Sequence, residues 1–299
     1  MLKFGVVLAG GLLVSAVALR PVEDVCASAI VTAPNAGKPG PSSTQPGELR
    51  VDVGGPSRPS RTAATLSVEI AGPASPRGTV FVLHGIRDSK ASMRGWGEML
   101  ARAGYRAVLV DSRGHGRSTG DWLTYGVNES RDLAQVLDLL ASRGQVAGEV
   151  GVMGISYGAA TAIQWAGLDA RVKAVIAVAP FASLRDVVPG YSPVPLPDAF
   201  LRRAIDLAGL RGGFDPDAAS PASAMARTRA EVLLIHGRSD RKIPCWHSEK
   251  IYAAGRDPAE LVLIDGAGHE SVAGAAATRL EERMAAWFGS HLRAAQREE

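Results

Sequence analysis

This 299-residue chain has little of several features that would each point to a function class. It has two cysteines, Cys26 and Cys245, too few for a disulfide framework, and neither has the His and Cys companions of a zinc site. The sequence offers no cluster of metal ligands, no phosphate-cradling loop and no internal repeat, so no cofactor is implied. The 33 Lys and Arg nearly balance the 30 Asp and Glu, and the basic residues are scattered among acids rather than massed in a stripe. A nucleic-acid partner is excluded on that ground. The N-terminal uncharged run, Phe4 to Leu19, falls short of the roughly 18–20 residues that span a bilayer comfortably.

What is present reads as one large folded body, with 46% apolar residues and a length that buries a substantial core. The apolar run is preceded by Lys3 and followed by Arg20-Pro21, the pattern of an export signal, with small residues suited to cleavage after Ala18 or Ala29. Residues 1–29 are therefore expected to be an export signal, which places the protein in the periplasm or outside the cell. The alternative is an uncleaved anchor, the one membrane contact the sequence suggests. Lipid modification of Cys26 is disfavoured, because Glu23-Asp24-Val25 is not a small apolar sequence. Residues 30–60, dense in Pro, Gly and Ser, read as a flexible linker, with one alternating strand at Glu48 to Val53 that either interrupts it or already belongs to the folded body.

From residue 61 onward, strand-like and helix-like patterns alternate. Near-continuous apolar runs such as Thr79 to Gly85, Arg106 to Asp111, Glu149 to Met153 and Val172 to Pro180 are separated by segments with helical spacing. This predicts an α/β fold, a mostly parallel central sheet with helices on both faces, over residues 61–299. The alternation lapses over residues 181–228, which are Pro-rich and then helical. They are read as a small cap over the sheet's carboxyl edge.

In such sheets sites form beyond the carboxyl ends of strands. Gly154-Ile155-Ser156-Tyr157-Gly158 falls at one such end, between a strand and a helix, which is the setting that makes Gly-x-Ser-x-Gly a nucleophile motif rather than a plain tight turn. A serine hydroxyl is a poor nucleophile and needs a base, itself oriented by a carboxylate. His269, in a Gly-rich loop after the last strand, and Asp240, just after the preceding one, supply them. Asp265 is the rival carboxylate, nearer in sequence, and is assigned a local turn-capping role instead. His84, His115, His236 and His291 are read as structural or solvated, and His247 as a helix-end contact.

The segments "VLHG", "DSRGHGRSTG", "GISYG", "HGRSDRKIP" and "GAGHE", in that order, resemble the α/β-hydrolase superfamily, most closely the serine hydrolases that include Bem46-like proteins and serine aminopeptidase-like lipases. The resemblance implies an oxyanion hole formed by the backbone N–H groups of Ile86 and Tyr157. It also implies cleavage of an ester or related acyl bond of a small-molecule substrate through an acyl-enzyme intermediate. An aminopeptidase would further need an acid for the substrate's free amine, with Asp186 and Asp198 in the cap as candidates. A non-catalytic binding protein on the same fold is the remaining alternative, and it would have no use for Ser156, Asp240 and His269 together.

Overall fold

A computed structural model describes residues 16–54, 63–192, 194–255, 259–274 and 277–294. In chain order the elements are α1 (Ala16–Val31), β1 (Glu48–Val53), β2 (Ala64–Ala71), β3 (Thr79–Leu83), α2 (Arg94–Arg102), β4 (Arg106–Asp111), α3 (Val127–Ser142), β5 (Val150–Ile155), α4 (Tyr157–Leu168) and β6 (Val172–Val178). The cap carries α5 (Leu184–Val187), α6 (Asp198–Gly212) and α7 (Pro221–Met225), and the chain closes with β7 (Glu231–Gly237), α8 (Trp246–Ala254), β8 (Ala259–Ile264) and α9 (Ala277–His291).

The eight strands form one sheet in the order β1-β2-β4-β3-β5-β6-β7-β8. β2 pairs antiparallel with both β1 and β4, and every other neighbouring pair is parallel. This is the expected α/β architecture. Within β3, Phe81 and Leu83 face a core shared with α3 and α4, while Val80 and Val82 face the opposite core, shared with α2 and α9. Both faces are therefore covered, which is why these strands read as continuous apolar runs rather than alternating ones. Trp165 of α4 meets Phe81 edge-on, with ring centroids 4.8 Å apart.

The structure departs from the linker reading over residues 30–47 and keeps the strand that follows with the folded body. The strand at Glu48–Val53 is β1, the sheet's edge, and the stretch before it lies along the loop after β4. Thr32 bridges to Trp122, the Ala33 amide donates to the Asp121 carbonyl, and Asn35 Nδ2 donates to the carbonyls of Gly116 and Ser118. A Cβ at Gly114 would lie 2.3 Å from that of Ala33, so the loop needs glycine for the segment to lie there. Small residues here serve close docking rather than flexibility. Residues 1–15, most of the expected export segment, and 55–60, the end of the expected linker, lie outside the described residues.

Candidate active site

β5 delivers Ser156 to the sheet's carboxyl edge, and α4 begins at the next residue. Ser156 holds φ 54° and ψ −113°, a left-handed backbone that non-glycine residues seldom adopt. Its amide is bonded to the Val178 carbonyl at 2.7 Å, which locks the bend to the neighbouring strand. The flanking glycines are demanded by the same geometry. A Cβ at Gly154 would come within 2.3 Å of the Gly158 backbone, and one at Gly158 within 2.5 Å of the Leu83 carbonyl. A sharp turn thus lifts one hydroxyl out of a packed sheet.

The structure brings the three sequence-predicted side chains into one hydrogen-bonded chain. His269 Nε2 lies 3.0 Å from Ser156 Oγ, and His269 Nδ1 lies 2.6 Å from Asp240 Oδ2. The other oxygen of Asp240 accepts from the amides of Lys242 and Ile243, each at 2.9 Å. Burial alone would raise the Asp240 carboxyl, but hydrogen bonds from His236, His269 and the Ile243 amide more than reverse it and hold the group well below the usual carboxylate range. Asp265, the rival, is 89% exposed and pairs with Arg238 at 2.8 Å, away from the imidazole.

Tyr157 directly follows Ser156, and Ile86 lies in the loop after β3. Tyr157, as the first residue of α4, has no acceptor within the helix for its N–H. The loop carrying Ile86 passes close to the nucleophile, since a Cβ at Gly85 would lie 3.8 Å from that of Ser156. Tyr157 is pinned from below. Its hydroxyl donates to Glu129 Oε1 at 2.8 Å, and the same buried carboxylate accepts from Thr124 and Gly126. Burial, followed by this nearby negative charge, pushes the Tyr157 phenol up. The side chains of Ile86 and Tyr157 join an apolar cluster with Leu184, Val187 and Ile205 of the cap and with Ile243.

The spare histidines have other partners. His84 accepts from the Ser112 amide, His115 contacts the Arg113 carbonyl, and His247 accepts from the Ala182 amide while stacking on Trp246 at 3.7 Å. His291 packs against Trp287 rather than standing free in solvent. His236 lies beside Asp240 itself, a placement that the strand-end reading of this residue missed; its spacing of four residues from the acid was the only hint. The two acids considered for amine recognition are not placed at the triad. Asp186 is bound to Lys250 and Ser183, and Asp198 is exposed in the first turn of α6. A cavity of about 270 Å³ in the cap, lined by Arg185, Asp186, Asp217 and Lys250 among others, includes no triad residue.

Comparison with known proteins places this arrangement in context. The family described as X-Pro dipeptidyl-peptidase (S15 family) matches residues 55–204, a stretch that holds Ser156 but neither Asp240 nor His269. YqkD of Bacillus subtilis (strain 168), a protein described as uncharacterized, is 28% identical over 202 residues, covering 64% of this chain and 64% of its own length. The chain thus spans less than two thirds of that relative. Among solved structures, the Pyrococcus furiosus esterase Pf2001 superposes with a TM-score of 0.66 at 20% identity, covering 86% of this chain and 99% of the esterase. A 2,6-dihydroxy-pseudo-oxynicotine hydrolase superposes at 0.62 and 17% identity, over 82% of this chain and 68% of the other. At such identities the structural likeness speaks for the fold.

Proposed function

We propose that this chain, which belongs to the X-Pro dipeptidyl-peptidase (S15) family and is a hydrolase of the α/β-hydrolase fold, cleaves an ester or related acyl bond as a serine hydrolase. The observation that carries this reading is the chain of hydrogen bonds from Ser156 through His269 to Asp240. His269 Nε2 takes the proton as Ser156 Oγ attacks the acyl carbon, and Asp240 stabilises the imidazolium that forms. The N–H groups of Ile86 and Tyr157 receive the oxygen on which negative charge collects. His269 then protonates the departing alcohol, and water releases the acyl group by the same steps in reverse. Apolar neighbours around Ile86 and Tyr157 favour an apolar acyl portion.

The family match favours peptidase action as the second reading. Against it, the candidate acids for a free amine are engaged by Lys250 or exposed on α6. A panel of acyl esters of graded length, assayed beside amino-acyl and Xaa-Pro amides, separates the two. Ester turnover that vanishes in Ser156→Ala is expected. A higher kcat/KM on the Xaa-Pro amide than on every ester would give the peptidase reading the lead.

Export is part of the same proposal, with cleavage after Ala18 rather than Ala29. Support comes from α1, which is built into the body. Ala27 is fully buried beside Val31 and Ala208, Glu23 pairs with Arg203, and the Tyr125 hydroxyl donates to the Ile30 carbonyl at 2.7 Å. A cut after Ala29 would discard most of those contacts, and a cut after Ala18 keeps them.

A further inference from the structure

His236 lies on β7, one strand in from the β8 edge of the sheet, four residues before Asp240, and its ring is fully buried. Nδ1 lies 2.7 Å from Ser248 Oγ on α8, and Nε2 lies 2.7 Å from the Ile243 carbonyl oxygen. A carbonyl can only accept, so Nε2 carries the hydrogen; in the neutral ring Nδ1 then accepts from the Ser248 hydroxyl. The same Nε2–H lies 3.3 Å from Asp240 Oδ2, the oxygen that receives His269 Nδ1–H. Ile243 is held at both ends, its amide by Asp240 Oδ1 and its carbonyl by His236. Asp240, Ile243 and His236 therefore close a ring of contacts anchored on a sheet strand.

We propose that His236 is a positioning residue for the hydrolysis, its shared Nε2–H fixing the carboxylate rotamer that aims Asp240 Oδ2 at His269. The two amides on Oδ1 tether one corner of the carboxylate. They leave Oδ2 free to swing about that corner, and a swing would turn the imidazole away from Ser156. A donor on the strand side, rigid because β7 is packed on both faces, closes off that motion. At 3.3 Å the contact is long and shared, so the short bond to His269 keeps most of the Oδ2 lone-pair density. A histidine needing only to satisfy its own nitrogens already has Ser248 and Ile243.

The inference rests on Asp240 being the acid that orients His269, and Asp240→Asn tests that reading separately. For His236 the test compares His236→Leu, which removes the donor, with His236→Gln, which returns an N–H at similar reach. We expect kcat of His236→Leu to fall roughly 10- to 100-fold, the scale of a misplaced catalytic group, with KM little changed and with much of kcat regained in His236→Gln. Histidine ¹⁵N spectra of the wild-type enzyme should show His236 as the Nε2–H tautomer, a readout that needs no variant to fold. A folded His236→Leu enzyme with wild-type kcat, or a His236 ring bearing its hydrogen on Nδ1, overturns the proposal. If Asp240→Asn is also fully active, the fault lies in the triad reading instead.

Discussion

The strand-end loops and the cap meet in one apolar cluster around Tyr157, yet they are held by opposite means. Under the loops after β3 and β4 the charges are buried and paired: Lys90 with Asp111 and Arg113 with Asp132, both at 2.7 Å. Neither partner in either pair is appreciably exposed. In the cap the pairs lie in solvent. Arg185 meets Asp206 and Asp217 on its surface, and Arg211 joins α6 to Asp24 of α1. Exposed pairs are worth little and are screened by salt, whereas a buried pair is costly to break because the survivor is left charged without water. The difference teaches that the loops after β3 and β4 are fixed by buried charge, whereas the cap is tied by pairs that solvent screens.

The largest expected effects sharpen that contrast on the chemical side. Ser156→Ala should lose on the order of 10⁶-fold in turnover with an unchanged melting temperature, because it removes one hydroxyl from a turn whose strain is borne by the backbone. Asp240→Asn should cost up to about 10⁴-fold by favouring the wrong tautomer of His269, while Asp265→Asn, exposed and paired with Arg238, should keep wild-type kcat. Loss of turnover in a folded Asp265→Asn enzyme beside a fully active Asp240→Asn enzyme would exchange their roles.

Stability should divide the two regions next. Asp132→Asn removes the charge that the buried Arg113 guanidinium meets at 2.7 Å and is expected to cost about 3–5 kcal/mol by denaturant titration, whereas Arg211→Ala on the cap should cost about 1 kcal/mol or less. Comparable losses for the two would erase the distinction.

Acid should act on the buried side as well. Burial lowers His84, His115 and His247, the last two to about 4. The unfolded chain keeps histidine near its ordinary value of about 6.5, so between the two values it binds more protons than the folded protein. Their contribution is fully present above that ordinary value and is lost as pH falls toward about 4. The contribution of Asp240, whose carboxyl is depressed, disappears only at still lower pH. Thermal melts should therefore fall steadily from pH 7 to pH 4.5, and a flat profile over that range would contradict the burial of neutral imidazoles.

The elements that were legible in the sequence were those whose physics is local. A strand covered on both faces has to be apolar throughout, and a bend tight enough to bring Gly158 against the Leu83 carbonyl has to be glycine, so both wrote themselves into short motifs. The sharing of Asp240 between His269 and His236 was not legible, because it depends on the ring geometry of β7 and the turn after it. The pairing of Arg113 with Asp132 was hidden for a similar reason, joining a loop to a helix one turn into its length. The N-terminal segment is hard to divide from sequence for a different physical cause. Small residues such as Ala27 suit a peptidase's recognition groove, and the same smallness lets α1 lie against Ala208 of α6.

The central claim, that Ser156 is the nucleophile of this fold, is tested most directly by treating the full chain with a fluorophosphonate and locating the adduct by peptide mass spectrometry. One adduct is expected, on Ser156, with loss of ester hydrolysis in step with labelling and no adduct in Ser156→Ala. An adduct on another residue, or ester hydrolysis that persists in the fully labelled protein, would contradict it.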